Sequence, residues 1–267
     1  MSQRREVEGR LALFDELSGI LGAMRSFALA ELRKVGKREA SQQQVVESLA
    51  VALQDLSGAL PEAFYAGSAE TCADIWLLFG SVRGFCGSFN EDVRRFWQGA
   101  ADEQAPLILV GERLHGLFDG HESACCLDGA EGGLDAPAAI DRILAAVSEL
   151  RPGDDYGLMA CIRDEQGARS QRLWPLPRPA DDGVSSALPL TYQPIAAVAG
   201  GVAEHYLFHS LLALMLRSIR VENHMRLMQM ETALRHLERG GEDLQRQRNR
   251  LRQEEIVEEI ELMVGRR

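Results

Sequence analysis

The stretch REVEGRLALFDELSGILGAMRSFALAELRKV, residues 5–35, decides the fold. Apolar side chains recur in it at Val7, Leu11, Phe14, Leu17, Leu21, Met24, Ala28, Leu32 and Val35. Steps of three and four return to one side of a helix, because about 3.6 residues complete a turn. No proline interrupts the chain from Arg4 to Leu56. A helix of that span would be about 80 Å long, several times the average globular helix of about 11 residues. It cannot cover its own apolar stripe and needs a partner along its length.

The other end of the chain supplies a candidate. Residues 202–264 also lack proline and carry Leu207, Leu211, Leu214, Met215, Ile219, Met225, Met228, Leu237, Leu244, Leu251, Ile256, Ile260 and Met263. Leu237, Leu244 and Leu251 are spaced as in a coiled coil. Met215, Met225, Met228 and Met230 read as an adaptable lining of the helix seam, since methionine fills irregular gaps. Apolar density falls between Arg239 and Arg252, and Gly240–Gly241 is expected to loosen or bend the helix. Two long helices leaving and entering one central domain run antiparallel. The expected organisation is an N-terminal helix in 1–60, a central domain in 61–201 and a C-terminal helix in 202–267.

The middle changes character. Asp74–Phe79, Pro106–Val110 and Tyr156–Ile162 are short apolar runs that read as buried strands. Helix candidates at 91–100, 112–119 and 137–150 alternate with them. Such alternation predicts a Rossmann-like α/β domain with a mostly parallel sheet. The polar, proline-rich stretch 175–194 returns the chain to the last helix.

Charge separates these regions too. Residues 1–60 carry eight basic and eight acidic side chains, and residues 202–267 carry eleven of each. The whole net charge of −11 therefore sits in the middle. Balanced ends fit solvent- or partner-facing helices, and an acidic middle argues against nucleic-acid binding. No apolar run reaches the roughly 20 residues of a membrane span. The charged start MSQRREVEGR does not resemble a signal peptide, so a cytoplasmic chain is expected. Cys72, Cys86, Cys125, Cys126 and Cys161 show no C-x-x-C spacing, which argues against a disulfide framework or zinc knuckle and for a reducing compartment.

The most conspicuous local motif is Ser81-Val-Arg83-Gly84-Phe-Cys86-Gly87-Ser88-Phe-Asn90, directly after the first expected strand. A phosphate loop would need Gly-Lys-Ser/Thr, and neither Lys34 nor Lys37, the two lysines of the chain, stands in that context. A structural turn is the better reading, with Ser88 and Glu91 as a capping box for the next helix. His115, His121, Cys125 and Cys126 match no familiar zinc spacing and read as loop and packing residues. His205 and His209 share a helix face, where a third ligand could complete a metal site; packing histidines are commoner. No catalytic signature is present, so no catalytic residue, cofactor or metal is nominated.

Three stretches together resemble the gamma subunit of F-type ATP synthase, the central rotor shaft. Gly22-Ala-Met24-Arg25 resembles that family's Lys-Ala-Met segment. Arg83-Gly-Phe-Cys-Gly87-Ser-Phe-Asn90 is similar to its Arg-Gly-Leu-Cys-Gly-x-x-Asn signature. Asn249-Arg-Leu-Arg252-Gln253-Glu-Glu-Ile256-Val-Glu-Glu-Ile260 is similar to its Asn-x-x-Arg-Gln-x-x-Ile-Thr-x-Glu ending, and Leu173-Trp-Pro175-Leu-Pro177 to its Leu-Pro-Leu-Pro.

The resemblance implies a subunit without its own active site. Its helices would sit in a ring of alternating alpha and beta subunits, and its α/β domain on the epsilon subunit and the ring of c subunits. It implies attachment to the membrane only through the complex, at the cytoplasmic face of a bacterial inner membrane. It places Met24, Arg252 and Gln253 at beta-subunit contacts and Tyr192 on the c-ring and epsilon side. The departures Ile20-Leu-Gly-Ala-Met-Arg-Ser-Phe27 and Ile256-Val-Glu-Glu suggest a divergent gamma subunit of an alternate, sodium-linked bacterial ATPase. Two other readings stay open: a stand-alone coiled-coil adaptor whose α/β domain binds a partner, and a nucleotide enzyme using the Gly84–Gly87 turn.

Overall fold

The computed structural model describes residues 2–60, 64–65, 73–102, 104–121, 124–150, 156–176 and 189–265; Cys72 and Pro177 lie outside them. In chain order the elements are α1 (Ser2–Asp55), β1 (Ala73–Phe79), α2 (Phe89–Ala100), β2 (Leu107–Val110), α3 (Glu112–His115), β3 (Ala124–Leu127), α4 (Ala136–Leu150), β4 (Tyr156–Arg163), β5 (Ala168–Trp174) and α5 (Ile195–Val264). They form two compact units, residues 1–30 with 226–267, and residues 31–225.

The strands of the second unit make one five-stranded sheet of order β3-β2-β1-β4-β5. The first four are parallel, and β5 runs antiparallel to β4. The central strand β1 alternates strictly. Ile75, Leu77 and Phe79 join the cluster on one face with Ala139, Ile140 and Ile143 of α4. Trp76 and Leu78 join the opposite cluster with Phe89, Val93 and Trp97 of α2 and Leu114 of α3. Burial on both faces is why β1, β2 and β4 read as near-continuous apolar runs.

Two strands were not expected. β3 contains Cys125 and exposed Cys126, which sequence reasoning placed in a loop, and β5 is the polar run ARSQRLW. Both are edge strands, where one side of the ladder is free and partial exposure weakens the apolar pattern. α3 stops at His115, four residues short of its expected end.

The β4–β5 turn is organised by Asp164. Its carboxylate accepts N–H groups of Gln166 at 2.9 Å and Gly167 at 3.2 Å, and Arg169 Nε at 2.7 Å. Burial works to raise its pKa, but these hydrogen bonds and the Arg169 charge outweigh it and hold the carboxyl below its usual range.

In each unit the terminal helices pair antiparallel. In the first, Val7 and Leu11 of α1 are buried with Leu244 of α5. Arg4 pairs with Glu255 at 2.8 Å, and farther along α1 Arg25 lies 3.9 Å from Glu231. In the second, Glu39 meets Arg220, Gln42 Nε2 donates to the His209 carbonyl at 3.2 Å, and Leu53 and Leu56 pack on Ala199 and Ala203. Within each unit, a step forward on α1 is matched by a step back on α5.

Helix α5 continues through Gly240–Gly241. Gly240 stands at a close approach: a Cβ there would lie 2.7 Å from Phe14 Cε2, whereas at Gly241 nothing lies within 4 Å. Gly240 makes room for the Phe14 ring. The methionines also divide differently. Met215 belongs to a sheet cluster and Met225 packs against the other, Met230 is buried, and Met228 is 46% exposed.

Glycine costs a helix about 1 kcal/mol relative to alanine. Gly241→Ala should therefore stabilise the protein by about that amount, while Gly240→Ala should give no net gain because its methyl meets Phe14; thermal denaturation of the pair checks this. A depressed carboxyl pKa contributes stability above the unfolded value of about 4 that is lost as pH falls through the folded one. Asp164→Asn should accordingly flatten the acid limb of a stability-versus-pH curve measured by urea titration.

Candidate functional site

The turn after β1 is built around Ser81 and Asn90. Ser81 is fully buried and Asn90 is 7% exposed. The Ser81 N–H donates to Asn90 Oδ1 at 2.9 Å, and Asn90 Nδ2 donates to Ser81 Oγ at 2.9 Å. The Cys86 thiol lies 3.2 Å from the same Oγ. This triangle ties the two ends of the 81–90 turn together, a role apart from the helix capping expected of Ser88 and Glu91. Ser88 instead donates its hydroxyl to the Asp92 carboxylate at 2.9 Å and makes no side-chain cap. The expected capping box is absent because Asp92, one helical turn on, competes for the hydroxyl.

The turn holds Phe85 at φ 62°, in the left-handed region, with its ring 65% exposed. For a bulky residue this costs about 1–2 kcal/mol, and such strain persists only where surrounding bonds over-determine the backbone. Gly87 shares the same φ without that cost. Arg83 reaches Glu131 at 2.9 Å. The N–H groups of Val82 and Arg83 donate to the two carboxylate oxygens of Glu222 on α5, each at 3.4 Å.

The residues assigned to partner contacts do not converge on one site. Met24 is half-buried on α1, next to Arg25 at the level of Glu231. Arg252 and Gln253 are exposed on α5 at the level where Glu255 meets Arg4. Twenty positions of α1 separate those levels, about 30 Å along the helix. Tyr192 is wholly exposed, just before α5, where Thr191 Oγ1 donates to the Gln193 carbonyl at 2.7 Å.

The histidines are used locally. His115 Nε2 lies 3.1 Å from the Leu127 carbonyl, and His121 sits edge-on to Trp97 and Phe118. His205 and His209 stack at 6.2 Å, and burial, then the neighbouring His205, lowers the pKa of His209. Among the described residues no three His, Cys, Asp or Glu side chains come together to hold a metal.

Sequence reasoning missed Glu222, Arg220 and Glu39. The only available signal was a set of polar residues, Ser218, Glu222, Asn223 and Arg226, within the most apolar part of α5; all four are buried.

Two terminal helices in antiparallel register, interrupted by an α/β domain whose turns are tied by structural hydrogen bonds, define a helix-pair protein with an inserted sheet domain. The ATP synthase family model matches residues 3–265, and the chain belongs to that family, whose member of this build is the gamma subunit. No curated protein matches it by sequence. A chain of the Euglena gracilis mitochondrial ATP synthase rotor shares 15% identity at a TM-score of 0.65, covering 96% of this chain and 99% of that one. A second Euglena structure, of OSCP, F1 and c-ring, gives 16% and 0.64, with 99% and 93% covered. The Tetrahymena thermophila central stalk and c-ring gives 15% and 0.58, with 80% and 99%. These likenesses establish a shared fold.

Leaving the buried Ser81 N–H without an acceptor costs about 1–3 kcal/mol. Asn90→Ala should therefore lose about that much stability in urea denaturation, while exposed Ser88→Ala should stay within about 0.5 kcal/mol of the parent.

Proposed function

We propose that this chain is the non-catalytic central shaft of a rotary ATP synthase. Its helices turn inside a ring of alternating alpha and beta subunits, and its α/β domain rests on the epsilon subunit and the c ring. The complex places it peripherally, at the cytoplasmic face of a bacterial inner membrane. One asymmetric shaft touches three equivalent catalytic sites differently, and each contact shifts which conformation its site favours by the differential binding energy it offers. Turning the shaft therefore cycles the sites, and ion flow drives ATP formation or the reverse.

The observation that carries this reading, beside family membership, is the bare tip of α5. Arg4 at the start of α1 pairs with Glu255, so Ile256, Val257, Ile260, Leu262, Met263 and Val264 lie at and beyond the level of the first described residues of α1 and are 46–70% exposed. Contiguous exposed apolar surface of this kind marks a protein contact. An apolar tip with few directional bonds suits a bearing, where contact must persist through rotation. Below it, Arg252 offers a planar fork of donors and Gln253 an amide, polar groups suited to bonds that form and break at each step.

Reconstitution with the alpha, beta, epsilon and c subunits tests the proposal. The parent chain should co-purify with the ring and support ATP hydrolysis coupled to ion transport. Arg252→Ala and Gln253→Ala should lower coupled turnover several-fold while the melting temperature of the full chain stays unchanged, since both side chains are exposed. A chain that remains a monomer beside an assembled ring would support the adaptor reading instead. Running the same assay in sodium-free buffer decides the coupling ion, and undiminished transport there would reject sodium.

A further inference from the structure

In open parallel sheets, ligands bind outside the carboxyl ends of the strands, at the point where strand order reverses. With the order β3-β2-β1-β4-β5, that point lies between β1 and β4. Here the chain's own α5 runs through it. Met215 and Ile219 pack into the cluster on one sheet face, and Val221 packs into the cluster on the other. The helix thus crosses the carboxyl edge of the sheet within two turns.

At the crossing, two side chains grip the loops that follow these two strands. Glu222, 5% exposed, accepts the successive N–H groups of Val82 and Arg83 after β1. Arg220 binds Glu165 after β4 and also Glu39 on α1, and Arg217 lies 3.9 Å from the same Glu39. Burial opposes the charge on Arg220, yet its two carboxylate partners raise its proton affinity.

Successive backbone N–H groups after a strand are the usual seat of a phosphate or other anion in such folds. A carboxylate brings the same sign of charge and the same acceptor oxygens. Apolar contact is non-directional and lets a helix turn against its neighbours, whereas charged hydrogen bonds fix an angle. A buried carboxylate without bonds would cost several kcal/mol, so Glu222 has its place in this stretch through the bonds it makes.

We propose that α5 is the resident ligand of this crevice: Glu222 occupies the anion seat of the β1 turn, and with Arg220 forms a joint that carries torque between the α/β domain and the helix. The torque role rests on the shaft reading above; the anion seat does not.

Two experiments separate them. Glu222→Ala in the full chain should lower the melting temperature, and sodium formate should restore most of the loss while sodium chloride at equal ionic strength does not. Rescue by both salts alike, or by neither, overturns the seat. Where the alanine variant does not fold, isosteric Glu222→Gln is read by amide hydrogen exchange. Val82 and Arg83 should exchange at least about tenfold faster than in the parent, the response of a local opening, and unchanged exchange overturns the seat.

In the assembled complex, with the helix tip held by the subunit ring, a probe on the α/β domain reports angular fluctuation. Glu222→Gln and Arg220→Met should widen its distribution at least about twofold, as expected when charged hydrogen bonds that fix an angle are lost, with steady-state ATP hydrolysis unchanged. Unchanged width overturns the joint. A parent chain that never assembles overturns the shaft reading and the torque role with it, and formate rescue still decides the seat.

Discussion

An α-helix of 54 or 70 residues exposes an apolar stripe far longer than any small domain can cover, and this constraint organises the rest of the molecule. Each terminal helix covers part of the other's stripe, the sheet covers α5 between Leu211 and Val221, and antiparallel pairing follows from where the chain leaves and returns. Leu53 and Leu56 near the end of α1 pack on Ala199 and Ala203 near the start of α5. Everything from β1 to β5 is therefore an insertion closed at one place. Stability resides in packing along the helices more than in helix propensity, which is marginal for isolated segments.

The two helices do not pair by one kind of contact. Near Leu244 the contact is apolar and close, with glycine removing the side chain that would displace Phe14. Between Ser210 and Arg226, α5 is buried with polar groups inside, and directional bonds from Arg220 and Glu222 reach both the partner helix and the sheet loops. Beyond Glu255 it is bare. The contacts of α5 thus differ in kind along its length, directional where it meets the sheet loops and apolar near Leu244.

How much of this was legible depended on burial. β1, β2 and β4 are covered on both faces, so their apolar runs announced them. β3 and β5 are edge strands whose exposed positions admit Cys126, Arg169 and Arg172, and the alternation vanished. The turn after β1 was recognised from its glycines, but the capping box expected at Ser88 and Glu91 does not form, and the Asn90–Ser81 pair was not foreseen. A capping box is a local pattern, whereas the Asn90–Ser81 pair depends on where a helix and a strand end meet. Glu222 was invisible because a glutamate on a helix ordinarily faces water.

The sequence by itself determined the two long helices, their pairing and the three strands buried on both faces. Periodicity over long proline-free stretches demands two long helices, and short apolar runs between turns demand a parallel sheet. Both follow from covering apolar surface, which is written in residue order. Only the tertiary structure decided which polar groups are buried, why a glycine stands at position 240, and that α5 fills the crevice between β1 and β4. Those outcomes depend on contacts between residues more than a hundred positions apart, such as Glu222 with Val82 and Gly240 with Phe14, and no local pattern records them.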